Sequence, residues 1–386
     1  MDLTPLFKLM ADKKASDLYF SVGAPVNIKI EGVTRPINGQ VLEPGATRRI
    51  AYSLMTEEQI REFEAAREMN FAHAVPEIGN FRVNVFRQRG DVALVVRYIN
   101  NAVPTIRELG LPPLLEELVM EKRGLVLAVG STGSGKSTTL AAMIDHRNTH
   151  ATGHILTIED PIEFIFRHKK SITNQREVGA DTGSFDRALV NAMREAPDLI
   201  MIGEIRDRET MQHAMTYAQT GHLCLSTLHA NNSYHALNRI INFFPHDARA
   251  GLLLDLSISL KCVLSQRLVK ARDGKRIPAM EVLLNTTHIA ELIRTGKVDE
   301  IKEAMEQSMS PGSQTFEQAL YRLYAEGRIT LDEAMANADS PTNLSWLINN
   351  AGGKPAPERQ AIRIDENAEK SELEGFSLSP DMLDKL

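Results

Sequence analysis

Cysteine is nearly missing from this chain. Its 386 residues include two, Cys224 and Cys262. With no CxxC spacing, they allow neither a disulfide framework nor a four-cysteine zinc site, which fits a reducing cytosol. An excess of positive charge is missing too. The 44 Lys+Arg and 50 Asp+Glu leave a net charge of −6, which is not the footprint of a protein that coats duplex nucleic acid; no nucleic-acid partner is expected. Long apolar runs are also lacking. Leu125–Gly130 is short, and Gly251–Leu264 is broken by Asp255 and Lys261, whereas a membrane-spanning helix needs about twenty apolar residues. The start, Met1-Asp2-Leu3-Thr4, carries an acid where a signal peptide carries positive charge. Leu3, Leu6, Phe7 and Met10 recur instead at the spacing of an amphipathic helix. A cytosolic chain is expected. The remaining composition, 43% hydrophobic and 24% charged, excludes wholesale disorder, and the length suits two domains or one large domain with additions.

The first hundred residues read as a small α+β unit. Asp17–Val22 and Val26–Ile30 are expected strands joined by Gly23-Ala24-Pro25, and Phe81–Phe86 and Val92–Ile99 a hairpin turning near Arg89-Gly90. Thr56–Arg67 opens on a capping residue and reads as a helix. Residues 101–113 are rich in Asn, Pro and Gly and are expected to form a linker. From 114, strands and helices alternate. Leu125–Val129 leads into a glycine-rich loop and the helix Ser137–His146; Ile155–Ile158, Leu199–Ile202 and Leu223–Thr227 follow as apolar strands, with Phe185–Ala196 helical. That pattern predicts a buried, mostly parallel sheet, hence an α/β domain. Beyond Asp247 the expectation is almost all helix, with one strand at Ile277–Leu284. Residues 350–386 form an acidic tail expected to be disordered through Glu374, with Met382, Leu383 and Leu386 as possible tethers.

The loop Gly130-Ser131-Thr132-Gly133-Ser134-Gly135-Lys136-Ser137 matches GxxxxGK[ST] between a strand and a helix. Glycines let backbone N–H groups wrap a phosphate, and the helix amino terminus adds its dipole. Lys136 supplies charge to the β and γ phosphates and the Ser137 hydroxyl a ligand for Mg²⁺, with Thr138 beside it. ATP is favoured over GTP because the nearest approach to a guanine-reading [NT]KxD element, Gly296-Lys297-Val298-Asp299, fails at its first position. Such a loop needs acidic partners. Leu199–Ile202 followed by Gly203-Glu204 is an apolar strand ending in an acid, and Glu159-Asp160-Pro161-Ile162-Glu163 crowds three carboxylates after another strand. His222 and His229 bracket Leu223–Leu228, where either can sense phosphate.

The stretch Met193–Asp207, with the P-loop, the acidic box and the histidine box Gly221–His229 in the same order, resembles secretion-system and type IV pilus ATPases. Over roughly residues 1–348 the chain is similar to the short retraction motors of the PilT/PilU group. PilU is favoured by His288-Ile289-Ala290-Glu291-Leu292-Ile293-Arg294-Thr295, where PilT motors carry AIRNLIRE, and by the added tail. The resemblance implies a PAS-like domain at 1–100 and a RecA-like ATPase domain with a helical carboxy-terminal part at 114–349. It implies a homo-hexamer at the cytoplasmic face of the inner membrane, at the pilus base. The ring would work with a PilT-like motor and a PilC-like platform protein. Glu163 would orient water, Glu204 support Mg²⁺ and its water, and His222 sense the γ phosphate. Arg82 and Arg97 match small-domain arginines that reach nucleotide phosphates between the two domains. A pilus-assembly or type II secretion motor and a nucleotide-regulated docking module with little hydrolysis remain alternatives.

Overall fold

The computed structural model describes residues 3–30, 32–99, 102–308 and 310–350. The chain divides into two compact units at Asn101/Ala102. In the first, β1 (Asp17–Phe20), β2 (Pro25–Ile30), β3 (Val33–Val41), β4 (Glu68–Val75), β5 (Gly79–Gln88) and β6 (Asp91–Ile99) form one sheet in the order β3-β2-β1-β6-β5-β4. Every neighbouring pair is antiparallel. This is the expected α+β unit. The β5–β6 hairpin closes at Arg89-Gly90 with φ of 51° and 89°, the pair of positive angles that matches the twist of the flanking strands. The helix Glu57–Ala66 starts with a reciprocal capping box between Thr56 and Gln59. Leu6, Phe7, Leu9 and Met10 of the first helix are buried in the unit's core.

The second unit carries β7 (Gly124–Val129), β8 (Gly153–Glu159), β9 (Ser171–Glu177), β10 (Leu199–Ile202), β11 (Leu223–Leu228), β12 (Leu260–Lys270) and β13 (Arg276–Leu284), ordered β13-β12-β7-β11-β10-β8-β9. All neighbours are parallel except β12 and β13. Every residue of β7, β10 and β11 is buried, as a sheet covered on both faces requires. Their carboxyl ends leave along one edge, where open α/β sheets bind ligands. No described helix is long and apolar enough to cross a membrane.

Two expectations change. The region beyond Asp247 is not almost all helix, because β12 runs eleven residues from Leu260. A mostly apolar stretch with scattered polar residues has no clean period to separate buried helix from buried strand; the backbone leaves the helix Arg249–Ser259 at Leu260, which is extended. Residues 102–113 are not a free linker, since Ile106 and Leu111 are buried in a second-unit cluster with Leu115 and Val126. The tail from 351 onward, with Met382, Leu383 and Leu386, lies outside the described residues.

Candidate functional site

The P-loop follows β7 directly, and the helix Lys136–His150 begins at its lysine. Gly130, Gly133 and Gly135 have φ of 154°, 77° and 89°, backbone that side chains resist. At Gly130 a Cβ would lie 2.4 Å from Ser134 Oγ and 2.6 Å from the Gln266 carbonyl. Lys136 curls over the loop, its Nζ donating to the Gly130 and Ser131 carbonyls, each at 2.9 Å. Burial lowers its pKa, against the carboxylates of Glu204 and Glu163. The Ser134 hydroxyl is buried without a hydrogen-bond partner.

Thr132, Gly133, Lys136 and Ser137 line a cleft of about 200 Å³ together with Glu159, Glu163, Glu204 and His229. Its volume is below the roughly 300–1,000 Å³ of whole-ligand pockets, so it suits the phosphate end of a nucleotide. Gly130, Ser131, Ser134 and Gly135 shape the loop, and Thr138 does not border the cleft. Glu204 stands two residues beyond β10. Its Oε2 accepts from Arg206 Nε at 2.9 Å, and its Oε1 lies 3.4 Å from His229 Nε2. Arg206 also approaches Asp160 at 3.5 Å, tying the two acidic turns together. His229 has a lowered pKa, from burial first and the Lys136 charge next, opposed by Glu204.

Glu159 is the most enclosed acid of the cleft. It accepts from Thr157 Oγ1 at 2.6 Å and Gln175 Nε2 at 3.2 Å. Burial nevertheless pushes its carboxyl up to about 7, because those bonds only partly replace lost hydration.

His222 does not join this group. It precedes β11, whose parallel neighbour β7 leads to the P-loop at the far edge of the sheet. The His222 carbonyl accepts from Gly124 N at 3.1 Å, and its Nδ1 lies 3.1 Å from Thr220 Oγ1 and 3.2 Å from the Tyr217 carbonyl. A strand of this length separates His222 from His229 by about 20 Å. His229 therefore borders this cleft and His222 does not, which corrects the placement expected of His222. Arg82 and Arg97 belong to the first unit, directly opposed across β5 and β6. Arg97 Nε donates to the buried Asp17 carboxylate at 2.8 Å.

Sequence reasoning missed a second tier behind the cleft. Gln266 on β12 donates from Nε2 to the Ser134 carbonyl at 2.9 Å and accepts from Thr139 Oγ1 at 2.6 Å. Glu281 on β13 accepts from Ser233 N and Oγ and from Ser265 Oγ, at 2.8, 2.7 and 2.9 Å. Those bonds anchor the helix that follows His229. No local pattern announces either residue, since their partners lie far away in the sequence.

Residues 2–363 match the family model described as Type II/IV secretion system protein. The type IV pilus ATPase PilU of Pseudomonas aeruginosa is 51% identical over 349 residues, 90% of this chain and 91% of that protein. The type IV pilus retraction ATPase PilT of the same organism is 42% identical, over 89% of this chain and all of that protein. A crystal structure of the pilus retraction motor PilT with bound ADP superimposes with a TM-score of 0.84 at 41% identity, covering 90% of this chain and 99% of that one. A P-loop, two acidic turns and a histidine around one phosphate-sized cleft, carried on a chain alike over about nine-tenths of its length, place it in the type II/IV secretion system family, in the branch of the type IV pilus ATPases PilU and PilT.

Proposed function

We propose that the chain is a subunit of an ATP-hydrolysing motor for type IV pilus retraction. The observation that carries this is the convergence of Lys136, Ser137, Glu163, Glu204 and His229 on one cleft at the carboxyl ends of parallel strands. Lys136 exchanges its two loop carbonyls for β- and γ-phosphate oxygens. Glu163 orients the attacking water, and Glu204, held by Arg206, supports that water from beyond the neighbouring strand. His229 donates to the γ phosphate as a neutral imidazole. Phosphoryl transfer depends on such positioning and charge more than on covalent chemistry.

Magnesium fits this donor set. Among the described residues no group of three or more His, Cys, Asp or Glu could cage a metal, and Mg²⁺ is commonly held by one or two protein oxygens plus phosphates and water. Ser137 and Glu204 would hold it here. When bound, the ion would supply positive charge that offsets the negative charge of the phosphates.

Likeness to PilU and PilT supports a homo-hexamer passing force to a PilC-like platform protein at the inner membrane. The Ala290-Glu291 departure from the retraction-type element supports an auxiliary role beside a PilT-like motor, since charge at a docking rim alters partner choice. Two experiments test the proposal. Lys136→Ala should abolish nearly all ATP hydrolysis, and substantial turnover in that variant would remove the assignment of the loop. Deleting the gene should give excess pili with lost twitching; bald cells would mean assembly instead.

A further inference from the structure

Successive residues of β12 serve two different loops. Side chains alternate across a strand, and here Gln266 turns to the P-loop while Ser265 and Arg267 turn the other way. Ser265 bonds Glu281, which holds Ser233, and Arg267 reaches the Asn231 carbonyl at 3.3 Å and pairs with Asp339. One strand thus braces both the phosphate loop and the loop that carries His229.

We infer that Gln266 is a positioning residue that sets the P-loop for the polyphosphate, an inference resting on the nucleotide site proposed above. Gln266 is 4% exposed, and both ends of its amide are used. An amide has one donor end and one acceptor end. The Ser134 carbonyl needs the donor and the Thr139 hydroxyl meets the acceptor, so the side chain fits in one orientation only.

The peptide plane supplies the functional link. In a trans peptide the carbonyl oxygen and the next N–H point in opposite directions. Holding the Ser134 carbonyl against β12 therefore turns the Gly135 N–H away from β12, toward the inside of the loop, where anions are bound. Two of the loop's glycines answer to the same residue. A Cβ at Gly130 would sit 2.6 Å from the Gln266 carbonyl, and one at Gly135 would sit 2.7 Å from its Nε2. Gln266 is therefore the wall against which the loop is pressed, although the sequence places it 132 positions from Ser134. The loop's third glycine, Gly133, has open space around its missing Cβ, so that position owes its glycine to backbone angle alone.

The test is fluorescent-ADP binding by the full-length protein, with KM and kcat for ATP and the melting temperature without nucleotide. Gln266→Met keeps the apolar bulk and removes both hydrogen bonds. It should raise the ADP Kd and the KM for ATP about tenfold, the scale of a buried carbonyl left unpaired, with a smaller change in kcat. A purely structural role predicts instead a lower melting temperature with unchanged Kd below it. Kd and KM within twofold of the parent would overturn the inference. Gln266→Glu serves if the methionine variant does not fold. Its carboxylate repels the Ser134 carbonyl at neutral pH, and on protonation it regains a donor. Binding by Gln266→Glu should be weak at pH 8 and recover toward the parent near pH 5; parent-like binding at every pH would overturn the inference. Lys136→Ala measured alongside separates the two levels. If it binds ADP like the parent, the site itself is wrong; if it loses ADP while Gln266→Met does not, the inference alone fails.

Discussion

Replacing Glu159 by glutamine measures the cost of burying a carboxylate beside a phosphate cleft. The side chain is 7% exposed. Burial carries its pKa from 4.5 to about 7, against bonds from Thr157, Gln175 and the Glu163 backbone. A folded-state pKa above the unfolded value means that the unfolded chain ionises first as pH rises. The penalty is absent well below 4.5, grows between 4.5 and about 7, and is complete above that. Its full size is roughly 3 kcal/mol. Glutamine keeps the acceptor for Thr157 and Gln175, which share Oε1, and loses the bond from the Glu163 N–H, a cost of about 1 kcal/mol. At pH 5 the two effects nearly cancel. At pH 8 the Glu159→Gln protein should be more stable by about 2 kcal/mol. Urea denaturation of nucleotide-free protein at pH 5, 6, 7 and 8 reads this directly. Parallel stability–pH curves for parent and variant would refute the argument, because they would show Glu159 titrating as it does in the unfolded chain.

Glu204→Gln should keep ATP binding within a few-fold while slowing hydrolysis at least a hundredfold, since shape is retained and charge removed; loss of nucleotide binding would make Glu204 structural. His229→Ala should lose most turnover, whereas His222→Ala, at the opposite edge of the sheet, should retain at least half, as steady-state assays on purified protein will show. Equal losses would return His222 to the site. Truncation after Asn350 leaves the buried Leu344 and its cluster in place and should preserve ATPase activity and ring assembly, checked by turnover and by size in solution; lost hydrolysis would refute the expectation.

What the sequence alone determined was whatever local chemistry fixes. The P-loop was legible because its lysine, hydroxyl and glycines are neighbours along the chain, between a strand and a helix. Thr56 announced a helix start, and Arg89-Gly90 a hairpin turn, because caps and turns need few residues. Glu159 was visible as one of a crowded acidic group, but its pKa depends on Thr157, Gln175 and the packing over it. Elements without a clear period escaped. Strands β3, β4 and β9 are too polar or mixed to stand out, and β12 follows directly on a helix with no turn residue between them to mark its start. The two histidines were equivalent in sequence, seven positions apart around one strand. Only the parallel pairing of β7 with β11 decided that His229 meets the phosphate loop while His222 lies at the other edge. Gln266, Arg267 and Glu281 carry no motif at all. The sheet brings β12 beside β7, and that adjacency, a long-range contact with no local signature, turns an ordinary glutamine into the support of the phosphate loop.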